Sequence, residues 1–259
     1  MIGIMKRIHI FSLTHFSRSY LITVALLLAL AVLASCSSVE LKPEPSKQEA
    51  RQGASDKKQQ FFVFMKPRVE NENVRITLQR EQLRSLHDKT SLSGRDQQWL
   101  QDLASEYALK LDQQPTAAQW QALELRVDVV PIEMALVQAA NESAWGESRF
   151  AREGNNYFGQ WCYTKGCGLV PRLRAAGASH EVRSFSDARE SVSAYMKNIN
   201  TSRAYTEFRQ LRMAARDQQR PLDAEKLAMG LKSYSERGMA YVKTIQAMIR
   251  SNRELIAQS

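Results

Sequence analysis

The chain has 259 residues, which is long enough to bury a sizeable core and suits one domain with appendages or two small domains. Its formal net charge of +9 suits an anionic partner such as cell wall or lipid headgroups. The sequence has no dense block of basic residues. This absence, together with a predicted export signal, argues against nucleic acid as a partner.

Residues 1–35 are predicted to be that export signal. Three basic residues and no acidic residue accompany an apolar stretch, residues 21–34, whose length is that of a signal peptide rather than a full membrane span. The stretch runs into Leu33-Ala34-Ser35-Cys36, which resembles the lipobox of bacterial lipoproteins, where the chain is cut before the cysteine and the cysteine is acylated. The alternative is an uncut membrane anchor with an incidental cysteine.

Acylation of Cys36 would attach the protein to a membrane, because several acyl chains bind firmly whereas one alone binds only marginally. Ser37 follows the cysteine, and resemblance to enterobacterial lipoproteins then points to the periplasmic face of the outer membrane. Residues 36–60 are polar and charged with almost no large apolar groups, which predicts a flexible tether.

Ordered structure is expected from residue 61, and the region 61–130 is predicted to be helical because its apolar residues recur at helical spacing. Capping patterns that begin at Ser93 and Thr116 mark two helix starts within it. Pro131 then opens a helix over residues 132–143 that is apolar on nearly every side.

The segment from residue 151 to residue 185 has a different character. Glycines, cysteines and aromatic residues cluster there, and residues 180–185 alternate like a short strand. Helical periodicity resumes afterwards. The sequence therefore predicts a mostly helical α+β domain with one small β or irregular lobe.

Cys162 and Cys167 are the cysteines that remain beyond Cys36. An exported chain meets an oxidising compartment, which predicts a disulfide between them. Closing so short a ring contributes about 2 kcal/mol in the loop-entropy model. The alternatives are a Cys-His peptidase that pairs either cysteine with His180 and a zinc site, for which only two histidines remain after signal removal.

Glu142 lies at the end of the apolar helix, where a carboxylate is unexpected. The partial negative charge of a helix C-terminus and an apolar environment both favour the protonated acid. Such a group can donate its proton to a leaving oxygen, as the general acid of a glycosidase does. The alternative is a helix-end glutamate that points into solvent.

Two motifs around this residue, NESAWGESRFA and NNYFG, resemble the glucosaminidase-type peptidoglycan hydrolases of glycoside hydrolase family 73. In that family a helix ends in a Glu-Ser pair, Trp-Gly follows, and an Asn-x-Phe-Gly turn comes next. The pattern of its Bax-type bacterial subgroup continues with FGQWC, GCGLVP, HEV, AYMKNIN and YSERG. All of these occur here, in that order, between residues 131 and 250.

The resemblance implies a lysozyme-like, mostly helical catalytic domain over residues 131–255, with Glu142 as the general acid. Aromatic faces pack on pyranose rings, and family tyrosines lie near the cleft, so aromatic residues are expected to bind substrate, with core packing as the alternative. The residues expected in this role are Trp145, Tyr157, Trp161, Tyr195 and Tyr241.

The second catalytic group is less well defined. Typical members of the family carry a Thr-Thr-Glu-Tyr motif on a hairpin after the Phe-Gly turn, and this sequence lacks it. Glu181 is the candidate base, or the group that orients water. The alternative is assistance by the acetamido group of the substrate itself.

These features predict an endo-β-N-acetylglucosaminidase that cleaves the β-1,4 bond between N-acetylglucosamine and N-acetylmuramic acid in peptidoglycan. The alternatives are a lytic transglycosylase or muramidase that uses the same glutamate, and a non-catalytic lipoprotein that binds the cell wall. The predicted partners are glycan strands and a membrane, through the lipid anchor. No metal or organic cofactor is implied.

Overall fold

The computed structural model describes residues 47–175 and 177–259. The predicted signal, the acylation site Cys36 and the first part of the predicted tether lie outside these residues, so they stay predictions. No helix in the described part of the chain combines the length and apolar character needed to cross a bilayer.

Helices make up most of the described chain. Before the β lobe they are α1 (Lys47–His87), α2 (Gly94–Glu106), α3 (Ala117–Arg126), α4 (Ile132–Ser143) and α5 (Arg149–Gly154). After it come α6 (Ala188–Thr201), α7 (Thr206–Asp217), α8 (Ala224–Leu227) and α9 (Met239–Ala257). Short 3₁₀ turns at Arg203–Tyr205 and Ala228–Leu231 precede α7 and follow α8.

A small antiparallel sheet separates α5 from α6. Its strands are β1 (Trp161–Cys162), β2 (Gly168–Leu169) and β3 (Glu181–Arg183), in the order β1-β3-β2. Val182 at the centre of β3 lies opposite Trp161 on one side and Leu169 on the other. The predicted class, a mostly helical α+β fold with a small β lobe, is confirmed.

Local sequence explains where two of the helices begin. The hydroxyl of Ser93 accepts a hydrogen bond from the Asp96 N–H at 3.2 Å, and that of Thr116 accepts one from the Gln119 N–H at 3.3 Å. In both cases the residue at the third helical position bonds back to the cap, which completes a capping box. Both predicted starts are confirmed.

The helix α1 begins earlier than the sequence suggests. It starts at Lys47, so residues 47–60, predicted as part of a flexible tether, are helical. With 41 residues and a rise of about 1.5 Å per residue, the helix is about 60 Å long. Its first turns are polar, which is why apolar periodicity gave no signal for them.

Two apolar clusters lie along α1. Phe62, Met65 and Ile76 belong to the main core, which also contains residues of α4, α6 and α9. Leu83 and Leu86 belong to a second cluster with residues of α2 and α3. The helix α1 therefore contributes side chains to both clusters.

A buried carboxylate, Asp128, ties several helices together just before α4. Arg216 of α7 binds it through two hydrogen bonds of 2.9 and 3.2 Å. The fully buried Arg212, also of α7, and Arg80 of α1 form ion pairs with it at 3.6 and 3.8 Å. Burial alone would raise the pKa of Asp128, but the three guanidinium groups offset burial and lower it. Arg212 also donates to the Asn200 side chain at 2.8 Å, which extends the network to α6.

Asp128→Asn should strongly destabilise the fold, because it leaves the buried Arg212 without a charged partner. We expect the free energy of unfolding at neutral pH to fall by roughly 3–5 kcal/mol in urea denaturation. The pKa of Asp128 is lowered in the folded state, so its stabilising contribution is present above the ordinary carboxyl range and is lost as pH falls through the lowered value. The variant should therefore lose less stability on acidification than the wild type.

The matched control is Asp112→Asn, at an exposed aspartate, which should leave stability nearly unchanged. Equal stability of the two variants would contradict the structural role of the buried carboxylate.

Candidate active site

The buried helix α4 ends abruptly after Glu142 and Ser143. Ala144, Trp145 and Gly146 all adopt left-handed backbone conformations, with φ angles of 51°, 61° and 82°. This conformation strains a residue that has a Cβ by roughly 1–2 kcal/mol. The buried Ser143 hydroxyl holds the turn, since it donates to a carbonyl one turn earlier at 2.6 Å and accepts from the Gly146 N–H at 2.8 Å.

Glu142 is partly buried, and its two carboxyl oxygens differ in environment. Oε1 accepts hydrogen bonds from the Tyr241 hydroxyl at 3.0 Å and from the neighbouring Asn141 amide at 2.9 Å. Oε2 lies beside the exposed Gly159, where an added Cβ would be 3.9 Å from it. One oxygen is therefore anchored by side-chain donors, and the other faces a turn at the protein surface.

That turn is built around the buried Asn156. Its side-chain oxygen accepts from the N–H groups of Phe158 and Gln160, and its amide donates to the carbonyls of Gln160 and Arg183 at 2.9 and 2.8 Å. Gly159 has a φ of 66°, which favours glycine at this position. The Asn-x-Phe-Gly motif thus fixes the turn to β3 and sets it against the carboxyl group.

Four tyrosines lie near Glu142: Tyr195, Tyr205, Tyr234 and Tyr241. Burial raises the pKa of each phenol, and the charge of the Glu142 carboxylate adds to the rise. All four phenols are therefore neutral at physiological pH, and of these four Tyr241 donates a hydrogen bond to the carboxyl group.

Ring stacking holds these phenols in place. Tyr195 stacks on Phe158 with ring centroids 4.0 Å apart, and Tyr234 stacks on Tyr241 with centroids 5.3 Å apart. The sequence predicted Tyr195 and Tyr241 as substrate-binding rings, but both are almost fully buried. It gave no indication of two further polar neighbours, Tyr205 and Gln138. The latter was detectable, because it lies four residues before the glutamate on the same helix face.

Two of the aromatic residues expected to bind sugar have another role. The Trp145 ring contacts Phe61 and Phe62 of α1 edge-on, with centroids 5.8 and 5.4 Å away. Tyr157 is almost completely buried against Phe61 and Phe64. Both rings pack α1 onto the core instead of offering an open face to a ligand.

Trp161 differs from them in its exposure. Its side chain is 57 % exposed, and one face stacks on the His180 ring with centroids 4.2 Å apart. The histidine thus fixes the indole ring and leaves indole surface open to solvent at the edge of the β lobe. Of the predicted sugar-binding residues, this one has the geometry of a platform.

Glu181 lies on β3, and its contacts are those of a structural carboxylate. Oε1 accepts from the Gly166 N–H at 3.0 Å and Oε2 from the Gly168 N–H at 2.9 Å. These backbone hydrogen bonds lower the pKa of Glu181, which is ionised at neutral pH. The close approach of β2 to β3 requires glycine at 168, because a Cβ there would collide with the Val182 carbonyl.

The loop that Glu181 holds is closed by the predicted disulfide between Cys162 and Cys167, whose Cα atoms are 6.2 Å apart. The bond occupies both sulfurs, which leaves no thiol for the Cys-His alternative. In the described part of the chain, these two cysteines and Glu181 are the group whose ligand atoms lie close enough to share a metal. The disulfide and the backbone N–H groups already use those atoms.

Replacing both cysteines by serine should open this loop and leave Glu142 in place. We expect a loss of about 2 kcal/mol in the free energy of unfolding, measured by thermal or denaturant unfolding, with catalytic activity partly retained. Complete loss of activity at unchanged stability would instead revive a role for a cysteine in chemistry.

Comparison with known proteins identifies a family for this chain. Residues 117–254, more than half of the chain, match the family model described as mannosyl-glycoprotein endo-beta-N-acetylglucosaminidase, the glucosaminidase domain. The chain is also 33% identical over 223 residues to Protein bax of Escherichia coli (strain K12), which covers 86% of this chain and 77% of that protein. No solved structure gives a significant match. The chain belongs to the glucosaminidase family.

Proposed function

We propose that this protein hydrolyses the β-1,4 bond between N-acetylglucosamine and N-acetylmuramic acid in peptidoglycan, with Glu142 as general acid. The observation that carries the proposal is the environment of the Glu142 carboxyl group at the end of α4. Hydrogen bonds fix Oε1, and Oε2 faces the exposed turn at Gly159. The family supports a glycosidase, and the bond and mechanism are our inference.

In this mechanism the proton leaves Oε2 of Glu142 and is transferred to the glycosidic oxygen as the bond to the anomeric carbon breaks. The donors on Oε1 keep the carboxyl group in one orientation, so that its free oxygen points toward the surface. Ordered donors of this kind cost no reorganisation during the reaction.

The contacts of Glu181 favour substrate assistance over a second catalytic carboxylate. Both of its oxygens accept backbone hydrogen bonds inside the disulfide loop. We infer that Glu181 shapes the loop and that the acetamido oxygen of the substrate attacks the anomeric carbon in place of a protein nucleophile. Trp161, fixed by His180, offers an aromatic face for a neighbouring pyranose ring.

Glu142→Gln keeps the shape of the side chain but removes the transferable proton. We expect hydrolysis of purified sacculi to fall at least about a hundredfold, with binding to sacculi retained. Mass spectrometry of the wild-type products should find reducing N-acetylglucosamine ends. Anhydro ends would identify a lytic transglycosylase, and reducing muramic ends a muramidase.

The matched control is Glu147→Gln, at the exposed glutamate in the turn after α4, which should retain the wild-type rate. Glu181→Gln should cost much less than Glu142→Gln, whereas an equal loss would identify Glu181 as a required base. If Glu142→Gln hydrolyses sacculi as fast as the wild type, the proposal is wrong and a wall-binding protein becomes the better account.

We also propose that acylated Cys36 anchors the protein at the periplasmic face of the outer membrane. The support is the Leu33-Ala34-Ser35-Cys36 pattern after a signal-like segment. Cys36→Ala should abolish incorporation of labelled fatty acid and leave the protein uncut or soluble, as measured by labelling and membrane fractionation. Wild-type protein that takes up no fatty acid would rule out the anchor.

A further inference from the structure

Gln138 is an unusual residue for its position in α4. Its side chain is completely buried in the main core, where glutamine is rare because an amide must find hydrogen-bond partners there. It finds them in two phenols from distant parts of the chain. The Tyr195 hydroxyl donates to its Oε1 at 2.6 Å, and its Nε2 donates to the Tyr241 hydroxyl oxygen at 2.9 Å.

These contacts continue to the acid. Tyr241 donates its single hydroxyl proton to Oε1 of Glu142 at 3.0 Å. The four side chains thus form one directed relay, in which Tyr195 donates to Gln138, Gln138 to Tyr241, and Tyr241 to Glu142. The relay links α6 and α9 through α4, although its members are far apart in sequence.

The direction of the relay depends on the amide. A phenol can donate one proton, and it can accept hydrogen bonds through its oxygen. Because the amide N–H of Gln138 points at the Tyr241 oxygen, the phenol proton has to point away, toward Glu142. Tyr195 complements this orientation, since it donates its own proton to the carbonyl end of Gln138. If the amide were reversed, its oxygen would compete with Glu142 for the Tyr241 proton.

We propose that Gln138 is a positioning residue, which acts through Tyr241 to keep a hydrogen-bond donor on Oε1 of the catalytic Glu142. The inference rests on the proposed function and deepens it. When the O–H bond of Glu142 breaks and a new O–H bond forms at the leaving oxygen, negative charge develops on this carboxyl group. A donor already aimed at it stabilises the transition state more than the bound substrate, so the relay contributes to kcat and not to KM.

Gln138→Met has a similar length but cannot donate to the Tyr241 oxygen, so the phenol is no longer held in the orientation that aims its proton at Glu142. We expect kcat on sacculi or soluble glycan strands to fall about tenfold, the value of a hydrogen bond to a charged group, with KM little changed. In a Tyr241→Phe background the same substitution should cause no further fall, because the residue through which it acts is already missing. In a Tyr205→Phe background, at a phenol near Glu142 but outside the relay, the tenfold fall should persist.

Stability provides a separate control, since Gln138→Met also leaves the buried Tyr195 hydroxyl without an acceptor. Combining it with Tyr195→Phe removes both partners and should restore much of the lost stability, as measured by denaturation. The kcat of this double variant should remain low, because Tyr241 still lacks the N–H donor that holds its hydroxyl group. A purely structural role for Gln138 would instead restore kcat together with stability.

The inference is overturned if Gln138→Met retains the wild-type kcat, or if its fall persists undiminished in the Tyr241→Phe background. These results differ from failure of the proposed function, which is judged by Glu142→Gln alone. A wild-type rate for Glu142→Gln would show that Glu142 is not the catalytic acid. A wild-type rate for Gln138→Met would show only that the relay does not contribute to catalysis.

Discussion

The apolar helix α4 has to be covered on nearly every side, and the arrangement of the other helices meets this requirement. Met134, Leu136 and Val137 are fully buried, and α8 and α9 pack against the helix. The first half of α1 and one face of α6 contribute to the same core. The carboxyl group at its end is therefore presented by a rigid, desolvated element, and the covering helices supply the side chains around it.

The long helix α1 connects this core to a second cluster. Its first half packs on the Trp145 ring beside the active-site turn, and its second half carries leucines into the cluster with α2 and α3. Between these ends, Lys66 donates to the carbonyls of Ile256 and Ser259, which caps the C-terminal end of the chain. The region before α4 thus packs against the active-site turn and holds it in place.

The two carboxylates illustrate how donors decide a role. Glu142 receives hydrogen bonds from side chains on one oxygen only, and its other oxygen lies beside an exposed glycine. Glu181 receives backbone N–H groups on both oxygens, from a loop closed by a disulfide. Backbone donors cannot rotate away, so Glu181 is held in its ionised form. This suits a residue that stabilises a loop better than a group that exchanges protons.

Features that depend on neighbours in sequence could be predicted from sequence. The capping boxes at Ser93 and Thr116 lie within one helical turn, and the cysteines of the disulfide are five residues apart. The helical class, the small β lobe and the glutamate at the end of the apolar helix follow from periodicity and local motifs in the same way.

Only the tertiary structure decided which aromatic rings are covered and which polar groups meet. Whether Trp145 is open or buried depends on Phe61 and Phe62 in α1, and no local pattern records that contact. The partners of Gln138 come from α6 and α9 for the same reason. A local pattern specifies which face of a helix is apolar. The side chains that pack against this face come from other elements, and which of them do so is decided only when the whole core packs.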